Sequence, residues 1–456
     1  MGRTVVIGGG AAGIAAARRL NDAGADVLLV EAGDRLGGRA YSMPLSALTS
    51  PASPRDTARV TRPSPLGRHT RRPVEHKRDD GRQNTPEAAG DQRRATPVID
   101  LGCGWLHSAE RNPWTAIARA TGASIDASSP NWGVQWNDLN FPPDEKQASA
   151  AAYQRWHDAA LAAVDGPDQP LSAFIAPDAP WRPMIDAISG YANGASLDQV
   201  SLHDWAAYET AATDDNWALP GGYGTLVVDH AVGVPVRLAT PVSRIDHSGR
   251  TLKLATPAGT IEAERVILAI PTTAYAAIAF DPPLPAKQDA AAALPLGLAD
   301  KVFLAVDSPA WPAHAHLIGD PHSACTASHR LSPFGLPIVE SFFGGTCAES
   351  LPDPRAAIDF AIADLVGVLG SDWRRRLTPL TATHWRGVPH IHGSYSHARV
   401  GHAPARATLA EPVENRLFFA GEACSRHDFS TAHGAYQTGI DAADAILRLL
   451  APVPAP

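Results

Sequence analysis

The sequence predicts an α/β fold in which a dinucleotide-binding domain, assembled from separated stretches of chain, stands beside a mixed α+β second domain. Two observations predict it. The chain opens with strand, glycine turn, helix, strand and acid in that order, and it closes on another strand-to-helix passage after long helix-spaced and strand-like stretches. At the start, Thr4-Val5-Val6-Ile7 is an apolar, largely β-branched run that reads as a buried parallel strand. It breaks into Gly8-x-Gly10-x-x-Gly13, and Ile14 to Leu20 continues as a helix. Gly8 allows the tight turn, Gly10 lets backbone approach a pyrophosphate, and Gly13 lets helix and strand pack closely. The helix start turns free N–H groups and a positive dipole end toward phosphates. A second strand, Asp26 to Val30, ends at Glu31, whose carboxylate can accept hydrogen bonds from ribose hydroxyls. The order and spacing together make this a Rossmann-like unit.

Composition narrows the class. With 456 residues, 45% of them hydrophobic, the chain can bury a large core in two domains. A net charge of -8 argues against nucleic acid as a partner. The first strand starts too close to Met1 for a secretory leader, and no apolar run is long enough to span a bilayer. Cys103, Cys325, Cys347 and Cys424 are scattered without a C-x-x-C pair, which points to free thiols in a reducing cytoplasm rather than to a disulfide framework or a zinc site. The expectation is a cytoplasmic enzyme with a small-molecule substrate.

After Glu31 the chain reads Ala32-Gly33-Asp34-Arg35-Leu36-Gly37-Gly38-Arg39. The glycine pair permits backbone contact with a cofactor, and Arg39 can neutralise its phosphates. Glu-x-x-x-x-x-Gly-Gly-Arg resembles the FAD-binding signature of the amine oxidase and related flavoprotein families. Residues 46–97 break the pattern: rich in arginine and proline and devoid of Phe, Trp and Tyr, they cannot bury enough apolar surface to offset ordering and are predicted to be a disordered insertion. A frame-shifted stretch of coding sequence is an alternative source for it. Order resumes with Val98-Ile99-Asp100-Leu101-Gly102-Cys103-Gly104-Trp105-Leu106-His107, a short strand followed by small residues suited to close backbone approach. A segment of this type lies along the flavin in the resembled family. Cys103, with no local cation, reads as a packing residue.

Helical spacing is clearest over Glu145 to Val164 and Met184 to Ala192, with Tyr153 and Trp156 core-facing. Leu219 to Leu226 supplies a glycine turn into a helix. Val234 to Leu238, Val242 to His247 and Thr251 to Ala255 read as a meander of strands, and Val266 to Ile270 as a further strand ending at Pro271. Lys301 to Val306 reads as a buried strand with the lysine at its edge. On its own such a lysine is a snorkelling surface residue.

Two late segments complete the pattern. His384-Trp385-Arg386-Gly387-Val388-Pro389-His390-Ile391-His392-Gly393-Ser394-Tyr395-Ser396 contains two histidines that share a face of an extended segment, but no third ligand at metal-binding spacing. Leu417-Phe418-Phe419-Ala420-Gly421-Glu422-Ala423 is followed by Thr431-Ala432-His433-Gly434-Ala435 and a helix to about Leu450. A helix start placed there suits the edge of a cofactor that gains negative charge on reduction. These motifs, with the earlier ones, resemble a bacterial-type member of the flavin-containing amine oxidase family (monoamine and polyamine oxidases included) over nearly the whole chain apart from 46–97.

The resemblance implies FAD held by Gly8, Gly10, Ala12, Gly13, Glu31, Ala32, Gly38, Arg39, Gly102, Trp105, Val242, Trp385, Gly421, Glu422, Thr431 and Ala432. It implies that Lys301 holds a water near the flavin and that Tyr395 orients the amine, whose charge the ring can attract. Ser394 stands where a covalent-flavin cysteine would be, so FAD is expected to bind non-covalently. Thr431 replaces a second cage tyrosine, which leaves the amine open among monoamine, polyamine and amino acid. The expected division is 1–45, 98–111, 220–274 and 407–450 for FAD, and 112–219 and 275–406 for substrate, with 451–456 a tail. The expected reaction oxidises an amine to an imine with O2 reduced to H2O2, and a homodimer is compatible with it. The alternatives are a carotenoid-desaturase-like or protoporphyrinogen-oxidase-like flavoprotein, or an L-amino-acid oxidase, for which no carboxylate-clamping arginine is identifiable.

Overall fold

The strand Thr4–Ile7 lies at the centre of a five-stranded parallel sheet whose order across the sheet is Leu417–Phe419, Arg265–Leu268, Thr4–Ile7, Val27–Val30 and Val236–Arg237. The computed structural model describes residues 2–49, 97–128 and 130–450. The strands inside the sheet are short and mostly apolar because both of its faces are covered, whereas the edge strand Val236–Arg237 exposes Arg237. The two-residue period divides their side chains between two cores. Val6, Leu29, Ile267 and Phe418 pack under the helices Ala11–Asp22 and Ala432–Leu450. Val5, Ile7, Leu28 and Val266 pack on the opposite face against a second sheet, built from Gly259–Ala263, Leu252–Thr256, Arg244–Asp246 and Ala279–Asp281.

The expected meander is therefore only partly present. Arg244–Asp246, Leu252–Thr256 and Gly259–Ala263 do form an antiparallel run. Val236–Arg237 instead joins the edge of the parallel sheet beside Val27–Val30. Its neighbourhood carries the reason: Leu29 N–H and Glu31 N–H donate to the carbonyls of Pro235 and Arg237, completing a ladder that the sequence alone could assign to either sheet.

A third sheet, fully antiparallel, runs in the order Ala315–Ile318, Ser328–Leu331, Ile338–Gly344, Ala299–Val306, Leu377–Ala382. The strand Ala299–Val306 begins two residues before Lys301, so Lys301 sits inside it rather than at its edge. Val302, Leu304 and Val306 face a core capped by the helix Pro354–Leu369. Lys301 and Phe303 take the other face, and Phe303 packs there with Ile99, Leu101 and Ile338. The helices Pro143–Ala162 and Arg182–Asn193 match the two helix-spaced stretches, with Trp156 buried and Tyr153 packed beside it.

Cys325 and Cys347 form a disulfide, against the expectation of four free thiols; Cys103 and Cys424 are free. Cys325 precedes the strand Ser328–Leu331, and Cys347 follows its neighbour Ile338–Gly344. The pairing of those strands brings the sulfurs together, and nothing in the local sequence records that pairing. The bridge also removes the argument for a reducing compartment from cysteine usage. His390 and His392 lie in a turn with φ of 64° and 60°, not on an extended segment. Among the described residues no group of His, Cys, Asp and Glu could hold a metal ion, and no helix is long and apolar enough to cross a membrane.

Most of the basic stretch 46–97 lies outside the described residues. Its flanks pair directly, Ser42–Pro44 antiparallel to Val98–Asp100, with Leu45 N–H donating to the carbonyl of Pro97 at 2.8 Å. Ser46–Thr49, placed in the insertion by the sequence, forms one helical turn.

The first and last helices approach most closely at Gly439, where an added Cβ would stand 2.1 Å from the carbonyl oxygen of Ala12. Backbone cannot yield there without separating the helix from the glycine turn. Gly439→Ala is expected to lower unfolding stability by about 1–3 kcal/mol, read as the urea midpoint; an unchanged midpoint would show that this crossing is not tightly packed.

Candidate functional site

The site is assembled at the carboxyl ends of the parallel strands, where open α/β sheets bind ligands. The turn after Thr4–Ile7 has Gly8 at φ 104°, with the position of a Cβ 2.3 Å from the carbonyl oxygen of Ala269. At Gly13 a Cβ would lie 1.8 Å from the carbonyl oxygen of Gly8, so helix and turn touch backbone to backbone. Gly10 differs: nothing lies within 4 Å of its Cβ position. A side chain there would fill space on the ligand side of the turn, which is the cradle a pyrophosphate needs.

Glu31 is fixed from both sides. Its Oε2 accepts from Gly9 N–H at 2.6 Å and its Oε1 from Gly33 N–H at 2.7 Å. Each oxygen keeps acceptor capacity for a ribose hydroxyl. Ala32 continues this corner, and the loop before Val242 is anchored to it by Thr240 N–H donating to the Glu31 carbonyl at 2.8 Å. Val242 itself is buried. The Gly37-Gly38 turn is braced by Arg35, which donates to the carbonyls of Leu36 and Gly38 and stacks on Tyr41 with 3.9 Å from guanidinium to ring centre.

Arg39 and Glu422, nearly the whole sequence apart, form an ion pair at 2.9 Å. Arg39 also donates to the carbonyl of Ser394 at 2.5 Å. The second oxygen of Glu422 accepts from Ser396 Oγ at 2.6 Å and from Ser430 N–H at 3.0 Å. Burial works to raise this carboxyl, but Arg39, Arg406 and the two serine donors outweigh it and hold it below the ordinary glutamate value. Glu422 is therefore an ionised hub, and only its Oε1 has room for a further donor. Thr431 caps the last helix, accepting from Gly434 N–H at 3.0 Å, and Ala432 accepts at its carbonyl from Trp114 Nε1 at 3.1 Å. Gly421, at φ 133°, links the strand to Glu422.

The opposite wall is built on Lys301. Its Nζ pairs with Glu340 Oε1 at 2.7 Å and donates to the Asp100 carbonyl at 3.0 Å. An added Cβ on Gly104 would stand 3.4 Å from that nitrogen. The strand pairing explains the arrangement: Phe303 is opposite Glu340, and the two-residue period puts Lys301 and Glu340 on one face. Burial favours a neutral Glu340, but Lys301 and Arg330 prevail and keep its carboxyl below the usual value. Asp300, the preceding residue, accepts from Thr383 Oγ1 at 2.7 Å and Trp385 N–H at 3.0 Å. Trp385 in turn comes within 3.4 Å of the Gly102 Cβ position. Trp105 stacks under Arg330, 4.5 Å from the guanidinium to the ring centre. Tyr395 is tied to the same strand through Gly297, whose N–H donates to the Tyr395 carbonyl at 2.8 Å. Its hydroxyl donates to the carbonyl of Tyr191, and burial pushes the phenol far above its usual value, so it stays neutral. Burial likewise pushes the Cys103 thiol up to about 12, which suits packing rather than reaction.

The sequence-predicted residues thus gather around two walls, one of glycine turns with Glu31, Arg39 and Glu422, the other of Lys301, Trp105, Trp385 and Tyr395. Sequence reasoning missed Glu340 and Arg330 behind Lys301. It also missed Arg406, whose fully buried guanidinium donates to both oxygens of Asp204 at 2.5 and 2.8 Å and to Ser396 Oγ at 2.9 Å. Arg406 sits in an alanine-rich stretch with no local sign of burial; no sequence signal marks it.

A fold and turn of this kind define a dinucleotide-binding protein. Residues 177–447 match the flavin containing amine oxidoreductase family, and residues 6–53 match an NAD(P)-binding Rossmann-like domain. The chain belongs to the flavin containing amine oxidoreductase family. It is 27% identical to polyamine oxidase 4 of Oryza sativa subsp. japonica over 96% of this chain and 87% of that one. It is 26% identical to lysine-specific histone demethylase 1 homolog 2 of Arabidopsis thaliana, spanning 98% of this chain but 59% of that protein. Among solved structures, cyclohexylamine oxidase from Brevibacterium oxydans IH-35A superposes with a TM-score of 0.72 at 21% identity, covering 98% of this chain and 99% of the other. A putrescine oxidase bound to putrescine gives a TM-score of 0.71 at 19% identity, with 98% and 99% covered. The chain is an enzyme of the flavin amine oxidase class, and a flavin is its cofactor.

Burial also depresses several imidazoles, among them His397 beside the Asp204–Arg406 pair to about 4 and His316 in the third sheet to about 3. An unfolded histidine titrates near ~6.5, so below that pH the unfolded chain binds protons that the folded chain refuses. Their contribution is full above ~6.5 and is lost as pH falls through the two folded values, at about 1.4 kcal/mol per unit for each histidine. Urea midpoints measured from pH 7 to pH 5 should fall steadily; a flat or rising series would contradict burial of both rings.

Proposed function

We propose that the protein is an FAD-dependent oxidase that converts an amine to an imine, hydrolysed in water to an aldehyde or ketone, with O2 reduced to H2O2. In this reading residues 1–45, 98–111, 220–274 and 407–450 hold FAD without a covalent bond, and 112–219 and 275–406 form the substrate side. The bound flavin supplies the chemistry of accepting a hydride equivalent from the amine α-carbon and passing two electrons to O2. The chain's own residues position and tune.

The observation that carries the reading is Lys301. It is a buried lysine on an interior strand, held by Glu340 and the Asp100 carbonyl, with its nitrogen 3.4 Å from the position a Cβ would take on Gly104. Two of its three donors are thereby committed, and the third is free to hold a water toward the cofactor side. Glu340 and Arg330 behind it fix the ammonium in place, so the water has a constant address. On the substrate side, Tyr395 is neutral and its hydroxyl is engaged with Tyr191, which leaves the ring face as its contribution. That face and the indole of Trp385 suit a substrate amine approaching as the neutral form. Glu422 and Arg39 spend their charges on each other and on Ser394, Ser396 and Ser430. They act by fixing the segments around the cofactor, with Glu31 and the Gly8-x-Gly10-x-x-Gly13 turn holding its adenosine and phosphate half.

Purified flavin-loaded protein is expected to release peroxide with at least one class among monoamines, diamines, polyamines and amino acids. Lys301→Met is expected to retain flavin while slowing turnover and flavin reoxidation by more than about tenfold. Unchanged oxygen reactivity in that variant would remove Lys301 from the mechanism.

A further inference from the structure

A cavity of about 320 Å³ opens between the helices Pro143–Ala162 and Arg182–Asn193, with Trp132 at its side. Trp132, Phe141, Tyr153, Met184, Ile188 and Ile318 give it a largely apolar lining. Two connections tie it to the proposed reaction site. Trp132 meets Trp105 edge-on, with ring centres 5.2 Å apart, and Trp105 follows the Gly104 that adjoins Lys301. Met184 and Ile188 lie on the helix Arg182–Asn193, whose later residue Tyr191 accepts the Tyr395 hydroxyl at its carbonyl. A molecule whose amine lies near Tyr395 would therefore extend its remaining atoms along this helix face.

Three of the polar residues of the lining, Gln135, Gln154 and Lys146, are already committed to protein partners. Gln135 donates to the carbonyls of Leu139 and Ile318 at 2.7 and 3.0 Å and accepts from Ile318 N–H at 2.8 Å. Gln154 donates to Asp158 at 2.8 Å. Lys146 pairs with Asp138. Among the described residues that line the cavity there is no Asp or Glu, and the charged one is a lysine. A second ammonium brought here would find no carboxylate in the lining with which to pair. An apolar ring or chain would gain from leaving water.

We propose that this cavity receives the substituent of the substrate, and that the substrate is a monoamine carrying a bulky apolar group rather than an α,ω-diamine or polyamine. The inference rests on the amine-oxidation reading above and sharpens it to a substrate class. Its weight comes from the lining itself, since the family relatives include proteins named for both kinds of amine.

The test is anaerobic bleaching of the flavin, followed by kcat/KM, with cyclohexylamine and benzylamine set against putrescine, cadaverine and spermidine at one pH. The apolar monoamines are expected to exceed the others by more than about tenfold. Ile188→Asp, checked for bound flavin and circular dichroism, should lower the cyclohexylamine value and raise the cadaverine-to-cyclohexylamine ratio. Diamines bleaching as fast as the monoamines, or a ratio unmoved in a folded Ile188→Asp protein, would overturn the assignment while leaving amine oxidation standing. A flavin bleached by no amine of either class and by no amino acid would overturn the proposed function, and this assignment with it.

Discussion

The buried carboxylate of Glu422 is the interaction on which the rest of the site depends. It joins Arg39 from the first glycine-rich loop, Ser396 from the segment carrying Tyr395, and Ser430 from the turn that starts the last helix. Arg406 reaches the same serine and ties it to Asp204. A carboxylate taken out of water is costly unless its lone pairs are met by donors and opposite charge. Here they are met, so the alternative positions of these segments each leave a buried charge short of partners. Specific geometry follows from that penalty more than from any net gain in stability, because replacing a whole buried ionic group by apolar residues is often neutral.

A second consequence is that the two walls of the site are coupled. The Arg39 guanidinium holds the Ser394 carbonyl, Gly297 holds Ser394 and Tyr395 by backbone pairing, and the chain from Gly297 runs directly into the strand of Lys301. Arg39, proposed to hold the cofactor, is thus linked to Tyr395 and Lys301, proposed to lie on the substrate side, through a short series of hydrogen bonds. Asp300 adds a parallel tie by holding Trp385 from the residue adjoining Lys301. Small displacements at one wall have no soft element in which to be absorbed.

The legible parts of the fold were those whose cause is local. Gly8, Gly10 and Gly13 announce a turn because only a residue without Cβ fits there, and the backbone contacts at Gly8 and Gly13 have that cause. The strand Lys301–Val306 was legible from its apolar run, although its start two residues earlier was not. What depended on pairing between distant strands was not legible. Glu340 meets Lys301 only through the register of two antiparallel strands, and the Cys325–Cys347 disulfide arises from a neighbouring pair in the same sheet. Val236–Arg237 carried a strand-like pattern without stating which sheet it would join. Arg406 is the plainest case, since the carboxylate that pairs with it is Asp204, which lies in a different part of the chain.

If Glu422 organises the flavin site, its charge must matter more than its shape. The direct measurement is the flavin dissociation constant of apoprotein reconstituted with FAD, comparing the parent with Glu422→Gln, a near-isosteric change that removes the charge facing Arg39 and Arg406. Binding at least about tenfold weaker, in a protein whose circular dichroism is that of the parent, is the predicted result. FAD bound by the variant as tightly as by the parent would contradict the account.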